Sequence, residues 1–359
     1  MFPWCFTILA FAPDLGNALK RVQSLMFGEE IGQGSICRVY QATCPSSNEQ
    51  FAVKRISLPK SVCKRAEVLQ RAAREAAAAR ALSDLVPHPD EIVRHFACVY
   101  DEGEDTIDLV MELCRGPCLA QLRNQTCSGC LPESRVRNMA AAVARALGHL
   151  HGIGLLCIDL KAENVVLDPT EQDPDRVRLV DFDLCRDIPG HHCRCGDEAA
   201  ATTTTVALVD PTASYNTSNT NIVVPAGGDD HDKALTRDDN NERLWGTAEY
   251  LAFEVLQDGV AAYSTASDWW SLGILSYELL YGKAPWSGPS VDVIFHRMTN
   301  HRLLFPGPSQ GGPQQVSVIM QQLIQGLLRH LPDMRLGSRG GAREVLAQPA
   351  LSFQKSPGM

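Results

Sequence analysis

Apolar positions along this chain change their spacing several times, and each change predicts an element. Ile31-Gly32-Gln33-Gly34-Ser35-Ile36-Cys37-Arg38-Val39 reads as strand, glycine turn, strand. Residues 61–85, rich in Ala, Arg, Leu and Glu, read as a helix. Leu109-Val110-Met111-Glu112-Leu113-Cys114 is a short apolar run of the kind a buried strand carries. From Glu133 to His151 the apolar residues Val136, Met139, Ala140, Val143, Ala146, Leu147 and Leu150 recur at helical spacing. Asp268-Trp269-Trp270-Ser271-Leu272-Gly273 then opens an apolar helix from Ile274 to Tyr281. Between Cys185 and Leu244 the periodicity disappears and Thr, Asn, Asp and Gly take over, which predicts disorder over 185–244.

Composition narrows this picture. At 359 residues and 45% hydrophobic, the chain can bury one or two cores. A net charge of −9 argues against a general nucleic-acid binder. The thirteen cysteines are scattered, several of them (Cys98, Cys114, Cys157) in apolar runs, which fits a reducing, intracellular compartment. Met1 to Ala12 is apolar but lacks a basic flank and falls short of the ~20 residues that span a bilayer. It is expected to pack against the first lobe of the molecule, with a weak membrane anchor or a misassigned start codon as alternatives. His191-His192-Cys193-Arg194-Cys195 is read as an unstructured thiol-bearing loop, with half a metal site as the alternative, since structural zinc wants two spaced ligand pairs.

The candidate chemistry lies in two short strings. Asp159-Leu160-Lys161-Ala162-Glu163-Asn164 is followed seventeen residues later by Asp181-Phe182-Asp183. Two carboxylates, an amide and an ammonium on neighbouring loops suit in-line transfer of a phosphoryl group. Asp159 would accept a hydroxyl proton, Lys161 would neutralise the moving group, and Asn164 and Asp181 would hold magnesium. A glycine hairpin suits phosphate because backbone N–H groups can approach where no Cβ stands.

These strings resemble the catalytic loop and metal-binding motif of eukaryotic protein kinases. The resemblance implies an α+β, bilobal fold: a β-rich first lobe over 27–111 and a helical second lobe over 115–351, flanked by an apolar segment 1–26 and a short end 352–359. It also implies ATP and magnesium as cofactors. Ile31, Gly32, Gln33, Gly34, Val39 and Ala52 would then enclose the nucleotide, and Lys54 would reach its phosphates. Glu75, or alternatively Glu67, would pair with Lys54. Met111 would stand beside the adenine, and backbone groups of Glu112 and Cys114 would pair with its edge. Asp268 would fix the catalytic-loop backbone, and Glu254 would pair with Arg335.

Lys161 and Gly246-Thr247-Ala248-Glu249-Tyr250-Leu251-Ala252-Phe253-Glu254 resemble the serine/threonine class, with Thr247 near Asp159. Asp-Trp-Trp and Arg335-Leu336-Gly337-Ser338-Arg339-Gly340-Gly341 resemble the AGC group. Asp183 in place of glycine, with the long insertion, is similar to its plant-type branch. Glu163 and Glu278 match positions that hold a substrate arginine, while a third such position is Cys118. Protein substrates with Ser or Thr near basic residues are therefore implied, in the cytoplasm, with the nucleus or the plasma-membrane periphery as alternatives. The chain stops soon after Leu351-Ser352-Phe353 without the group's hydrophobic tail. A groove on the first lobe is thus expected to be empty, filled by a regulatory partner, or filled by the apolar N-terminus.

The departures fall on control. Cys37 replaces a third glycine, Ile158 an arginine, Phe253 a proline, and Asp183 is expected either to stiffen its loop or to back up Asp181. Arg243 stands where most of the group carry a phosphorylated Ser or Thr, so both ends of the usual phosphate–arginine switch are absent. A catalytically impaired scaffold that binds nucleotide is the alternative reading.

Overall fold

The computed structural model describes residues 6–10, 24–34, 36–189, 235–236, 243–310 and 312–352. Its first lobe is a six-stranded sheet of order β1-β5-β6-β4-β3-β2, in which every neighbouring pair is antiparallel. The strands are β1 (Phe6–Ala10), β2 (Met26–Gln33), β3 (Cys37–Thr43), β4 (Gln50–Ser57), β5 (His95–Asp101) and β6 (Thr106–Glu112). Strand β4 is central, and its apolar residues are Phe51, Ala52, Val53 and Ile56. Its two faces separate by the period of two that strands impose. Phe51 and Val53 join Ala42, Ala97, Val99 and Val110 on one side. Ala52 and Ile56 join Ile107, Leu109 and Met111 on the other. Lys54 shares the second face, which carries it toward the cleft.

The sheet does not respect a boundary at residue 26. Strand β2 already begins at Met26, and Phe6–Ala10 pairs with β5 from Phe6↔Asp101 to Ala10↔Ala97. An edge strand offers unpaired N–H and C=O groups, which this segment satisfies by extending the sheet.

Helix α1 (Val62–Ser83) packs on the inner face of the sheet. Its buried residues are Val68, Ala72, Glu75, Ala76, Ala78, Ala79 and Leu82; four of the seven are alanine, which lets the helix sit close to the sheet.

The second lobe is built from α2 (Leu119–Asn124), α3 (Glu133–Gly152), α4 (Phe253–Asp258), α5 (Thr265–Tyr281), α6 (Val291–Asn300), α7 (Val318–Leu327) and α8 (Gly341–Leu346). Helix α5 is apolar all round and is buried almost end to end, with Trp269 and Trp270 inside the core. A Cβ on Gly273 would lie 2.8 Å from Leu328, so glycine is what allows α5 to touch the end of α7.

Two small ladders position the chemistry. Strand β7 (Leu155–Leu156) pairs with β10 (Arg186–Asp187), and β8 (Val165–Leu167) pairs with β9 (Val177–Leu179). The loop 157–164 runs from β7 to β8 and the loop 180–185 from β9 to β10. Pairing at both ends holds the two loops side by side.

The disordered stretch drawn over 185–244 is too wide. Cys185 is buried, Arg186–Asp187 is strand β10, and β11 (Leu235–Thr236) pairs with β12 (Arg243–Leu244). The His191–Cys195 string and the polar tract Thr202–Thr205 lie outside the described residues. No helix among the described residues is long and apolar enough to cross a membrane.

Candidate active site

Lys54 reaches across the cleft from β4. Its Nζ donates to Glu75 Oε2 at 2.7 Å and to Asp181 Oδ1 at 2.7 Å. Glu75 is 0% exposed, while Glu67 is exposed on the same helix, so the geometry selects Glu75 as the helix carboxylate. Burial alone would lower the Lys54 ammonium, but Asp181 and Glu75 outweigh it and hold it well above its ordinary value. Burial lifts Glu75 to about 7 even with Lys54 beside it. For Asp181 the balance goes the other way: burial opposes its charge, and Lys54 still draws it below the ordinary carboxylate range.

Asp159 sits on the neighbouring loop. Lys161 Nζ donates to its Oδ2 at 2.5 Å, and Thr247 Oγ1 donates to its Oδ1 at 3.1 Å. Burial raises the carboxyl, and Lys161 only partly offsets this. Asn164 Nδ2 donates to the Asp159 carbonyl at 2.9 Å, which fixes the amide beside that loop. Behind them, Asp268 accepts from the N–H groups of Cys157 and Ile158 at 2.9 Å each, with His151 Nε2 2.8 Å from its Oδ2. This clamp holds Ile158 at φ 66°. A β-branched residue there costs roughly 1–2 kcal/mol, which two buried charge-assisted bonds offset.

The roof of the site is the β2–β3 hairpin. Gly32 pairs with Val39, and Gly34 N–H donates to the Cys37 carbonyl at 2.8 Å. A Cβ on Gly34 would stand 2.8 Å from Cys37 Sγ, so the thiol occupies the space over the turn. Burial raises that thiol, with Lys54 as the largest opposing influence, so it is held as a neutral group facing the phosphate region. Ile31 and Gln33 are exposed at the rim, while Ala52 and Met111 are buried and paired in register across β4 and β6. Glu112 N–H is committed to the Arg94 carbonyl at 2.8 Å, leaving its carbonyl as the backbone group for an adenine edge. The Glu112 carboxylate meets Arg178, which also holds Asp168 and the Ile92 carbonyl. Arg178 was not anticipated from the sequence, since each partner lies on a different segment.

The acceptor side departs from expectation in one respect. Glu278 is already engaged: Arg123 of α2 pairs with it, and the Tyr250 hydroxyl donates to it. Glu163 is exposed at the mouth of the site. Cys118 caps α2 and places a thiol, not a carboxylate, at this position.

Asp183 also departs. It does not back up Asp181; its carboxylate is bound by Arg71 of α1, with Nε at 2.9 Å. Nor does its backbone need glycine, because the left-handed residue of this loop is Asp181, at φ 67°. Glu254 and Arg335 form a buried two-pronged pair at 2.7 Å and 2.7 Å. Phe253, in the expected proline position, stacks on His330 at 4.3 Å and on Phe295 at 5.2 Å.

The donor set suits magnesium. Among the described residues no cluster of three or more His, Cys, Asp or Glu side chains forms a self-sufficient metal site. One carboxylate and one amide oxygen, Asp181 and Asn164, match a hard cation that takes its remaining oxygens from phosphates and water.

The protein kinase domain family matches residues 25–208 and 231–351. The chain belongs to the protein kinase family. It is 29% identical over 350 residues to the serine/threonine-protein kinase nrc-2 of Neurospora crassa, covering 95% of this chain and 50% of that protein. It is 30% identical over 331 residues to the protein kinase PINOID of Oryza sativa, covering 89% and 64%. The serine/threonine-protein kinase AGC1-7 of Arabidopsis thaliana is 28% identical over 351 residues, covering 89% and 59%. The chain thus spans half to two-thirds of the length of these relatives. Its likeness to serine/threonine kinases, plant AGC kinases among them, extends over most of the kinase fold.

Proposed function

We propose that this protein kinase transfers the γ-phosphoryl group of ATP to serine or threonine hydroxyls of protein substrates. The observation that carries the reading is Lys54 held between Glu75 and Asp181, with Asp159 fixed on the adjoining loop. In the transfer, the substrate hydroxyl oxygen bonds to the γ-phosphorus, the bond from that phosphorus to the β,γ-bridging oxygen breaks, and ADP leaves. The hydroxyl proton passes to Asp159, whose buried carboxyl binds a proton more readily than an ordinary aspartate. Lys161 neutralises charge on the moving group, and Lys54 orients the α- and β-phosphates. Asn164 and Asp181 would hold magnesium, which would supply neutralising charge to the nucleotide phosphates. Cys37, Ile158 and Phe253 leave these groups in place, so no observation favours the scaffold reading.

The test is phosphate transfer from ATP to a basic serine peptide, compared with Asp181→Asn. Transfer is expected in the parent and a loss on the order of 10³-fold in the variant. Nucleotide binding without transfer in the parent would instead make it a scaffold.

Preference for basic residues near the acceptor is supported by Glu163 and Glu278, weakened by Arg123 on the latter. Scattered cysteines support a cytoplasmic location. The activation segment is not ordered by a phosphate–arginine pair, a reading supported by the buried apolar Ile158 and by Arg243 in the sequence. Full activity after phosphatase treatment is expected; loss of activity that rephosphorylation restores would refute it.

A further inference from the structure

Helix α1 carries two opposite charges one turn apart, Arg71 and Glu75, on a single face. Glu75 binds Lys54 of β4, which binds Asp181. Arg71 binds Asp183, two residues beyond Asp181, through both Nε and Nη2 onto the same carboxylate oxygen. The helix and the loop 180–185 are therefore joined twice, once through Lys54 and once directly, by pairs of opposite polarity. The connection closes a ring: α1, Glu75, Lys54, Asp181, Asp183, Arg71, α1. Asp183 is 7% exposed, and Phe182 between the two aspartates is fully buried against His95 at 5.7 Å. The ring is thus anchored in the core rather than lying on the surface.

We infer that Asp183, held by Arg71, is a positioning residue that docks α1 so that Glu75 reaches Lys54 without help from nucleotide or from a phosphate. A kinase that orders this region by phosphorylation needs an added anion; here the chain supplies a permanent one. The backbone at 183 is not left-handed, so the carboxylate is what this position contributes. A half-buried ion pair of this kind holds geometry, because removing either partner strands the other in low dielectric. The role assigned to Asp183 rests on reading Lys54, Glu75 and Asp181 as the nucleotide-handling groups, but docking of the helix can be measured without catalysis.

The experiment uses the full chain and four variants: Arg71→Ala, Arg71→Lys, Asp183→Gly and the Arg71→Ala/Asp183→Gly double. Hydrogen exchange of residues 62–83 is followed without nucleotide, alongside KM for ATP and kcat. Each single loss is expected to speed exchange in α1 about tenfold and to raise KM for ATP more than KM for peptide. The double variant is expected to be no worse than the worse single, and Arg71→Lys to recover most of the loss. Unchanged exchange in both single variants, or losses that multiply in the double, would overturn the assignment. Should Arg71→Ala fail to fold, Asp183→Asn, which keeps the side-chain size, carries the same comparison. If the parent transfers no phosphate, the proposed activity fails while the exchange data still decide the docking role.

Discussion

At the scale of single residues, the least expected group is His95. It is buried beside Phe182, with its ring set only loosely against the Val93 backbone. Burial, reinforced by Lys54, pushes it down to about 4. The native ring then stays neutral while the unfolded chain binds a proton below its ordinary value of 6.5. Stability from this group is present above that value and is lost as pH falls toward the native one. The loss by pH 5 is about 2 kcal/mol. Urea unfolding at pH 7.5 and pH 5 is expected to show this difference in the parent and to lose it in His95→Leu; an equal acid sensitivity in both would remove His95 as the cause. Glu278 gives a second residue-scale expectation. Arg123→Ala frees its carboxylate, so KM for a peptide with arginine near the acceptor should fall about three- to tenfold, with a peptide lacking arginine unaffected. Equal changes for the two peptides would show that Glu278 does not read the substrate. Spacing to Lys54 favours Glu75 over Glu67 in the sequence but leaves both open; burial on the face of Val68, Ala72 and Ala79 is what separates them. The pairs Arg71–Asp183 and Arg123–Glu278 were not legible in the sequence, since each joins residues more than a hundred positions apart and either arginine reads as a solvated helix charge.

At the scale of elements, the catalytic loop is held by three supports outside its own motif, in addition to the Asn164 bond within it. Two ladders fix its ends, and Asp268 at the start of α5 fixes its backbone. The motifs and the helix α3 that precedes them were visible as patterns of residues. The two-residue and three-residue ladders were not, because so short a strand has no periodicity to detect. Asp268→Asn keeps the shape of the side chain but offers one acceptor oxygen instead of two. One of the N–H groups of Cys157 and Ile158 is then orphaned, and Ile158 loses part of what holds it at φ 66°. A shift of the loop of this kind is expected to lower kcat on the order of 10²-fold, with ATP binding much less affected. A kcat within threefold of the parent would mean that the ladders alone position Asp159.

At the scale of the whole molecule, long-range ion pairs join segments that the hydrophobic core only brings near. Among the most buried is Glu254 with Arg335, which links the first turn of α4 to the turn before α8, with Arg335 1% exposed. Arg335 also donates to the carbonyls of Arg329 and Ala266, and its guanidinium lies 5.0 Å from the centre of the Trp270 ring. Its donors are therefore spent on three chain segments at once. The resemblance made this pair expected, but its dependence on the surrounding carbonyls follows only from the fold. The Coulomb attraction of a buried pair is largely consumed by desolvation, so the stability at stake lies in leaving one charge behind. Glu254→Ala should accordingly cost about 3–5 kcal/mol, because Arg335 stays buried without its carboxylate. The double variant Glu254→Leu/Arg335→Leu should cost less than the sum of the two single variants, by about 1–3 kcal/mol of coupling. Denaturant unfolding of the parent, both singles and the double measures this directly. Additive losses would instead show that Arg335 is held by the carbonyls and Trp270, with Glu254 a bystander.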